Sequence, residues 1–568
     1  MNDIRRTILW VIFGFSMVLL WDQWQVHNGN KATFFPTPPQ QAKAATETAS
    51  GVPQAAGVPV AVAPQGVATL PVVESRTVSK ELIQVQTDVA KLSFDTEGGT
   101  LVRVELLKHA DEQKPGSNVV LLDDSKDRIY TAQTGLISNT PGVVLPTHKT
   151  VMMVRPGSRQ LKEGDKELTI AFESPAQNGL KLIKTYTMKR AAYDIAVKHE
   201  IVNTSGQEVT PQVYFQLVRD GNKLAGESSF YSTFTGPAIY TEAKKYQKVE
   251  FADIKKKKVD VEKQSNVGYI AMVQHYFASA WILPDGMQRD ISLDAVDIGS
   301  TMADCCYRVT MISPLEAIKP GQTKTVTATF YAGPQEEKKL ESLYPGLELV
   351  KDYGWLTILA KPLFWLLDQL FKILGNWGWA IVALVVLLKA AFYWLNAHAY
   401  QSMAKMKAIN PKIMEMRERL KDNPQQMQME MMKIYREEKV NPMGGCVPIA
   451  LQIPVFIALY WVLLSTVEIR NAPWLGWIHD LSAPDPYFIL PLFMTLTTLL
   501  QTALNPAPPD PMQAKMMWIM PLAFSVMFFF FPAGLVLYWI TNNVLSIAQQ
   551  WLINIRMGVP PQFNLPKF

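Results

Sequence analysis

Lys389 is the one charge in an apolar run that extends over residues 381–395. A lysine near the middle of a membrane-spanning helix costs about 2.5 to 3.5 kcal/mol on insertion scales, so its ammonium faces protein or trapped water rather than lipid. Such a group can attract a carboxylate, belong to an ion path, or extend its stem to the headgroups and do nothing more. What decides is the company it keeps at its own depth. Gln452, Thr498, Gln501, Thr502, Asn542, Asn543 and Ser546 interrupt other apolar runs, and they act together only if the chain brings them to one level. Covalent and metal chemistry find little support, because Cys305, Cys306 and Cys446 make no disulfide framework and no Cys/His spacing resembles a zinc site. Adjacent Cys305 and Cys306 would give only a strained vicinal bridge.

The elements that must position these residues lie in the second part of a divided chain. At 568 residues, with 48% hydrophobic residues overall, the sequence joins a polar, Thr/Val/Lys-rich first part to a last part dominated by Leu, Phe, Trp, Met and Ile. A net charge of +5 is small for this length and does not suggest a nucleic-acid binder. Residues 1–24 carry Arg5 and Arg6 before an apolar run and read as a signal-anchor span. A cleaved signal peptide is the alternative, but Trp21-Asp-Gln-Trp24 offers no small-residue cleavage site. Residues 25–78, rich in Pro, Ala, Gln, Val and Thr, read as a disordered tether.

Residues 79–340 contain recurrent period-two runs, among them Leu168-Thr-Ile-Ala-Phe172, Gln212-Val-Tyr-Phe-Gln-Leu217 and Thr323-Lys-Thr-Val-Thr-Ala-Thr-Phe330, broken by Gly, Asn and Pro. Antiparallel strands in a large sandwich are expected. The Lys255 to Lys258 run reads as a solvated loop. Residues 351–375 set leucines on one helical face and Lys361, Asp368 and Lys372 on another. That pattern fits a helix lying in the membrane interface, with a lid on the sandwich as the alternative. Residues 376–568 then hold five spans at 377–395, 447–465, 487–504, 516–531 and 533–552, each near the length of about 20 residues that a bilayer needs.

Lysine and arginine counting orients them. The segment 398–446 carries Lys405, Lys407, Lys412, Arg417, Arg419, Lys421, Lys433, Arg436 and Lys439, against Arg470 alone in the loop 466–486. The former is expected in the cytoplasm, and the domain at 79–340 outside. Lys389 then lies about 18 Å along its helix from Trp377, past the midplane. Gln452, Thr498, Gln501, Asn542 and Ser546 fall in the same inner half, while the outer halves hold nothing comparable. A channel or transporter needs polar groups across the whole bilayer. A groove wet from one side and closed at the other suits a polar segment that enters part-way, with Lys389 attracting its acidic residues. The competing reading is that Lys389 snorkels and the polar groups bond between helices. Segment 398–446 is expected to be a helical hairpin broken at Asp422-Asn-Pro424. Its Met403, Met406, Met427 and Met431 suit either reception of apolar segments or the hairpin's own seam. Its basic residues suit anionic lipid, ribosomal RNA or a solvated face.

Several motifs together resemble the YidC family of bacterial membrane protein insertases, in the long form with a periplasmic domain. They are Asp352-Tyr-Gly-Trp355, Gln401-Ser-Met-Ala-Lys-Met406, Glu438-Lys-Val-Asn-Pro-Met-Gly-Gly-Cys-Val-Pro448, Ile478-His-Asp-Leu-Ser482, Asp510-Pro-Met512, Phe531-Pro-Ala-Gly-Leu-Val-Leu-Tyr538 and Val273-Gln-His-Tyr-Phe-Ala-Ser-Ala-Trp281. The resemblance runs from the anchor to the last span, the tether excepted. It implies a multi-pass α-helical membrane protein of six spans with an all-β periplasmic supersandwich and a cytoplasmic hairpin. It further implies insertion and folding of nascent inner-membrane proteins, alone or beside the Sec translocon and its accessory subunits. Contact with the ribosome or signal recognition pathway and with membrane lipids is expected, and no nucleotide, metal or other cofactor. Family members usually carry arginine where this chain has Lys389, which keeps the charge but loses the planar fork of donors. Val385 and Trp539 stand where the family often has a hydroxyl-bearing residue. Two rival readings are a transporter and a membrane-anchored carbohydrate-binding sandwich, the latter suggested by the aromatic segment from Tyr269 to Trp281.

Overall fold

The computed structural model describes residues 81–111, 113–114, 116–224, 233–296, 305–420, 423–438, 447–505, 511–558 and 563. The expected anchor at 1–24, the tether at 25–78 and Cys446 lie outside them. The described residues divide into two compact units, one ending at Asp352 but also taking in Ser465–Val467, the other made of the remaining residues from Tyr353 onward.

The first unit is all-β apart from two short α-helices and one 3-10 turn, with two antiparallel sheets of nine strands each among the described residues. One sheet is centred on Gln212–Arg219, which pairs with Ile129–Ile137 on one side and Tyr307–Pro314 on the other. The other is centred on Thr323–Pro334, flanked by Asp194–Asn203 and Phe277–Ile282. Period-two alternation explains the sandwich directly: in Leu180–Lys189 every second side chain, from Leu180 to Met188, points inward and is buried. Phe215, Trp281 and Phe330 fill the centre, with ring centroids 5.2 and 4.6 Å apart.

Polar side chains fasten the layers across that core. Lys184, on the inward face of its strand, donates to the Gly98 carbonyl at 2.7 Å and the Thr134 carbonyl at 2.6 Å. Tyr186 donates to the Gly99 carbonyl at 2.7 Å, and the Trp281 indole N–H to the Gln216 carbonyl at 3.2 Å. Gly98 must be glycine, since its φ is +74° and a Cβ would sit 2.4 Å from the His148 carbonyl oxygen.

Burial pushes the Lys184 ammonium down from 10.5 to about 7, and burial likewise holds His148 and His199 well below the ordinary histidine value. Between about 7 and 10.5 the unfolded chain therefore binds more protons than the folded one, so stability rises with pH across that window. Below pH 6.5 the two histidines act in the same sense, and stability falls further with acid. The β unit expressed alone should gain stability in urea melts from pH 7 to pH 9. Lys184→Met should flatten that gain, and a Lys184→Met protein with the wild-type slope would show the lysine is not its source.

The second unit is helical. Its elements are α1 (Thr357–Leu374), α2 (Trp377–Ala391), α3 (Tyr393–Arg419), α4 (Pro424–Glu437), α5 (Val447–Ser465), α6 (Ile489–Leu504), α7 (Pro511–Met527) and α8 (Ala533–Arg556). Among the described residues no single helix is long and apolar enough to cross a membrane, though α2 and α3 pass together across a 69° bend. The straight span expected at 377–395 is thus broken: α2 stops at Ala391, Phe392 caps it, and α3 sets off in a new direction. Three bulky aromatics, Phe392, Tyr393 and Trp394, follow one another there and are poor helix formers. Lys389 occupies the last turn of α2, where a cation also meets the negative end of the helix dipole.

α1 buries Ala360, Phe364 and Leu367, whereas Ile358, Trp365 and Ile373 are exposed, an apolar outer surface that suits lipid better than water. α3 and α4 form the expected hairpin. α8 packs against α2, α3 and α6. The turn before it is tied to the 466–488 loop, as Ala533 and Gly534 amides donate to the Ala483 and Leu481 carbonyls at 2.8 and 2.9 Å. Asp485, buried in that loop, accepts from the Trp477 indole at 3.0 Å and caps α6 through the Leu490 amide at 2.7 Å. These ties close one end of the bundle.

Candidate functional site

A small cavity of about 40 Å³ lies between α2, α3, α5 and α8, beginning about one turn along α8 from this closure. Val385, Leu388, Lys389, Phe392, Asn396, Gln452, Val455, Tyr538 and Asn542 line it. Polar lining and that volume give room for a few waters. Three sequence-predicted residues, Lys389, Gln452 and Asn542, therefore meet in one place from three different helices. Ser546 stands behind the wall, 2% exposed, and accepts a hydrogen bond from the Lys389 ammonium at 2.7 Å.

Helix geometry explains the convergence on α8. Tyr538, Asn542 and Ser546 recur every four residues and form one stripe facing α2 and α5. Tyr538 and Gln452 both line the cavity, from α8 and α5. Asn543 and Gln550 form a second stripe, turned to α6, where both are buried. The Asn543 amide donates to Thr498 Oγ1 at 2.8 Å and Thr497 Oγ1 at 3.2 Å, and Gln550 donates to Asn505 Oδ1 at 3.2 Å.

Thr498 and Gln501 do not line the cavity. Thr498 is taken up in the α6–α8 contact, its own hydroxyl donating to the Met494 carbonyl at 2.8 Å, and Gln501 is half-buried on the same helix. The structure adds Asn396 and Tyr538 to the polar lining. Tyr538 was legible as the preceding member of the Asn542/Ser546 stripe. Asn396 follows Lys389 by seven residues, a helical repeat hidden by the bend between them.

In the hairpin, Met406, Met427 and Met431 pack with Ile409, Ile413 and Met416 into a seam, and Met403 is half-buried. The methionines turned outward are Met414, Met429 and Met432. Of the two readings of the predicted methionines, the seam describes Met406, Met427 and Met431. Among the described residues no group of three His, Cys, Asp or Glu side chains is placed to hold a metal ion.

An all-β domain is followed by an apolar helical unit in which Lys389 lines a small cavity, a two-part architecture with the composition of a membrane protein in its second part. A family profile described as YidC periplasmic domain matches residues 82–366, and one described as 60Kd inner membrane protein matches residues 369–559. Membrane protein insertase YidC of Cupriavidus necator is 52% identical over 560 residues, 98% of either chain. That of Ralstonia nicotianae is 52% identical over 561 residues, again 98% of each, and that of a Janthinobacterium species 48% over 574 residues, 98% of this chain and 100% of the relative. Among solved structures, an active YidC insertase is 19% identical with a TM-score of 0.37, covering 84% of this chain and 92% of that one. The chain belongs to the YidC family.

The α6–α8 contact makes a separable prediction. Asn543→Ala and Thr498→Val should each lower stability in detergent by about 1 kcal/mol, and the double variant by less than their sum, a coupling of about 0.5 to 1 kcal/mol. Strict additivity in denaturation midpoints would show that these side chains do not act as a pair.

Proposed function

We propose that this chain is a membrane protein insertase and chaperone that acts without covalent chemistry. Its six spans, five in the helical unit and one at 1–24, leave both termini and the α3–α4 hairpin in the cytoplasm and the β unit in the periplasm. Hydrophilic ends of nascent inner-membrane proteins enter the cavity around Lys389 from the cytoplasmic side, then leave across the shortened apolar barrier at the closed end. The observation that carries this reading is the meeting of Lys389, Gln452 and Asn542 around a cavity with room for water, beyond which Ile381, Leu384, Val462, Leu535 and Val536 pack together. A solute carrier would need its polar lining to continue through that packed end. The names of the curated relatives support the same reading.

Lys389 supplies a positive field in a partly buried setting, where attraction for a carboxylate is stronger than in bulk water. Gln452, Asn542 and Asn396 keep the cavity hydrated and exchange hydrogen bonds with the passing chain. Thr498 contributes indirectly, by fixing α6 against α8 through Asn543. Partners are nascent membrane proteins, the Sec translocon with its accessory subunits, and the ribosome or signal recognition pathway, with membrane lipids around α1 and the hairpin.

Replacing the charge tests the proposal. Lys389→Glu should reduce insertion of clients with acidic translocated segments by tenfold or more in a strain depleted of its own insertase, on the order of a one-charge reversal at close range. Lys389→Arg should retain activity within about threefold, because the field survives. Photocrosslinkers at positions 389 and 452 should capture arrested nascent chains. Full activity of Lys389→Glu, or no crosslinked client from either position, would refute the groove.

A further inference from the structure

We propose that Ser546 is the positioning residue for Lys389, holding its ammonium at the cavity wall instead of letting it reach the headgroups. This rests on the groove reading above and assigns the means by which the charge is kept in place. Lys389 stands in the last turn of α2, two residues before the helix stops, so its stem is free to run past the helix end toward polar surroundings. It does not do so. Nζ turns sideways to Ser546 Oγ at 2.7 Å, and that oxygen is almost fully buried on α8. Gln549, the next exposed-side neighbour on α8, donates to the Tyr393 carbonyl at 3.4 Å, so α8 holds the start of α3 beside the bend as well.

The geometry is that of a tether rather than a competitor. An ammonium has three N–H donors and a serine hydroxyl accepts one of them, leaving two for cavity water or an arriving carboxylate. Ser546 stands behind the wall while Asn542, one turn earlier, forms it, so the tether fixes Nζ beside the lining without filling the cavity. Without the hydroxyl the charged group loses a buried partner and the headgroup region becomes the better place for it.

The test uses the full-length protein in proteoliposomes and two clients that differ only in whether the translocated segment carries carboxylates or the corresponding amides. The readout is the ratio of acidic to neutral insertion, which a general loss of folding leaves unchanged. A hydrogen bond to a charged group of ordinary strength predicts that Ser546→Ala lowers this ratio about tenfold and that Ser546→Thr, which restores a hydroxyl, returns it to within about twofold of wild type. An unchanged ratio in Ser546→Ala, or a ratio that Ser546→Thr fails to restore, overturns the positioning role. Lys389→Met separates this from the groove itself. If Lys389→Met lowers the ratio and Ser546→Ala does not, only the tether is wrong; if Lys389→Met leaves the ratio unchanged, the groove is wrong too.

Discussion

An ammonium group in an apolar bundle has to be met by a polar partner, and the contact between Lys389 and Ser546 meets that need. Much of the helical unit follows from it. The contact draws the last turn of α2 against the middle of α8. Once Ser546 faces α2, helical spacing obliges Asn542 and Tyr538 to face the same space one and two turns earlier. Their polar ends, with Gln452 opposite, prevent apolar side chains from closing over it, and a cavity that admits water remains.

The other end of the bundle is built on the opposite rule. There α2 and α8 meet the 466–488 loop through small residues: a Cβ on Gly378 would lie 2.2 Å from the Trp474 ring, and one on Gly534 3.1 Å from the Leu481 carbonyl oxygen. Backbone amides of the α8 start are spent on the 466–488 loop, and the side chains left to fill the interior are aliphatic or aromatic. Close apolar contact leaves no space that polar groups would have to hydrate. Close packing at this end beside a cavity that Lys389, Gln452 and Asn542 line is the asymmetry on which the proposed groove rests.

Sequence pattern made much of this legible. Period two predicted the sandwich, because each strand of the β unit has one face on the core, as in Leu180–Lys189. The convergence of Lys389, Gln452 and Asn542 followed from assigning depth through lysine and arginine counts. Depth alone, however, does not give rotation about a helix axis. Thr498 shares its level with Lys389 yet faces Asn543, because α6 meets α8 on a different stripe from α2. The bend at Phe392 escaped the pattern as well, since it contains no proline or glycine and the apolar run continues unbroken through it. The methionines of the hairpin looked alike in sequence, and only the packing of α3 on α4 separates Met427 and Met431 from Met429 and Met432.

Two lysines in this chain, Lys184 buried in the sandwich and Lys389 half-buried beside the cavity, show why one belongs to the scaffold and the other to the site. Lys184 is fully buried and donates to two backbone carbonyls, Gly98 and Thr134, whose positions the sheets fix. Both of these contacts are to fixed backbone acceptors, so its donor capacity serves the sandwich itself. Lys389 has one hydroxyl partner and a cavity on its other side, so part of its donor capacity is directed to whatever enters. The arginine that the family resemblance leads one to expect at this position would spread its charge over a planar fork and ask for more than one fixed acceptor. A compact ammonium needs a single anchor to stay in place, and Ser546 is of the right size and reach to be that anchor.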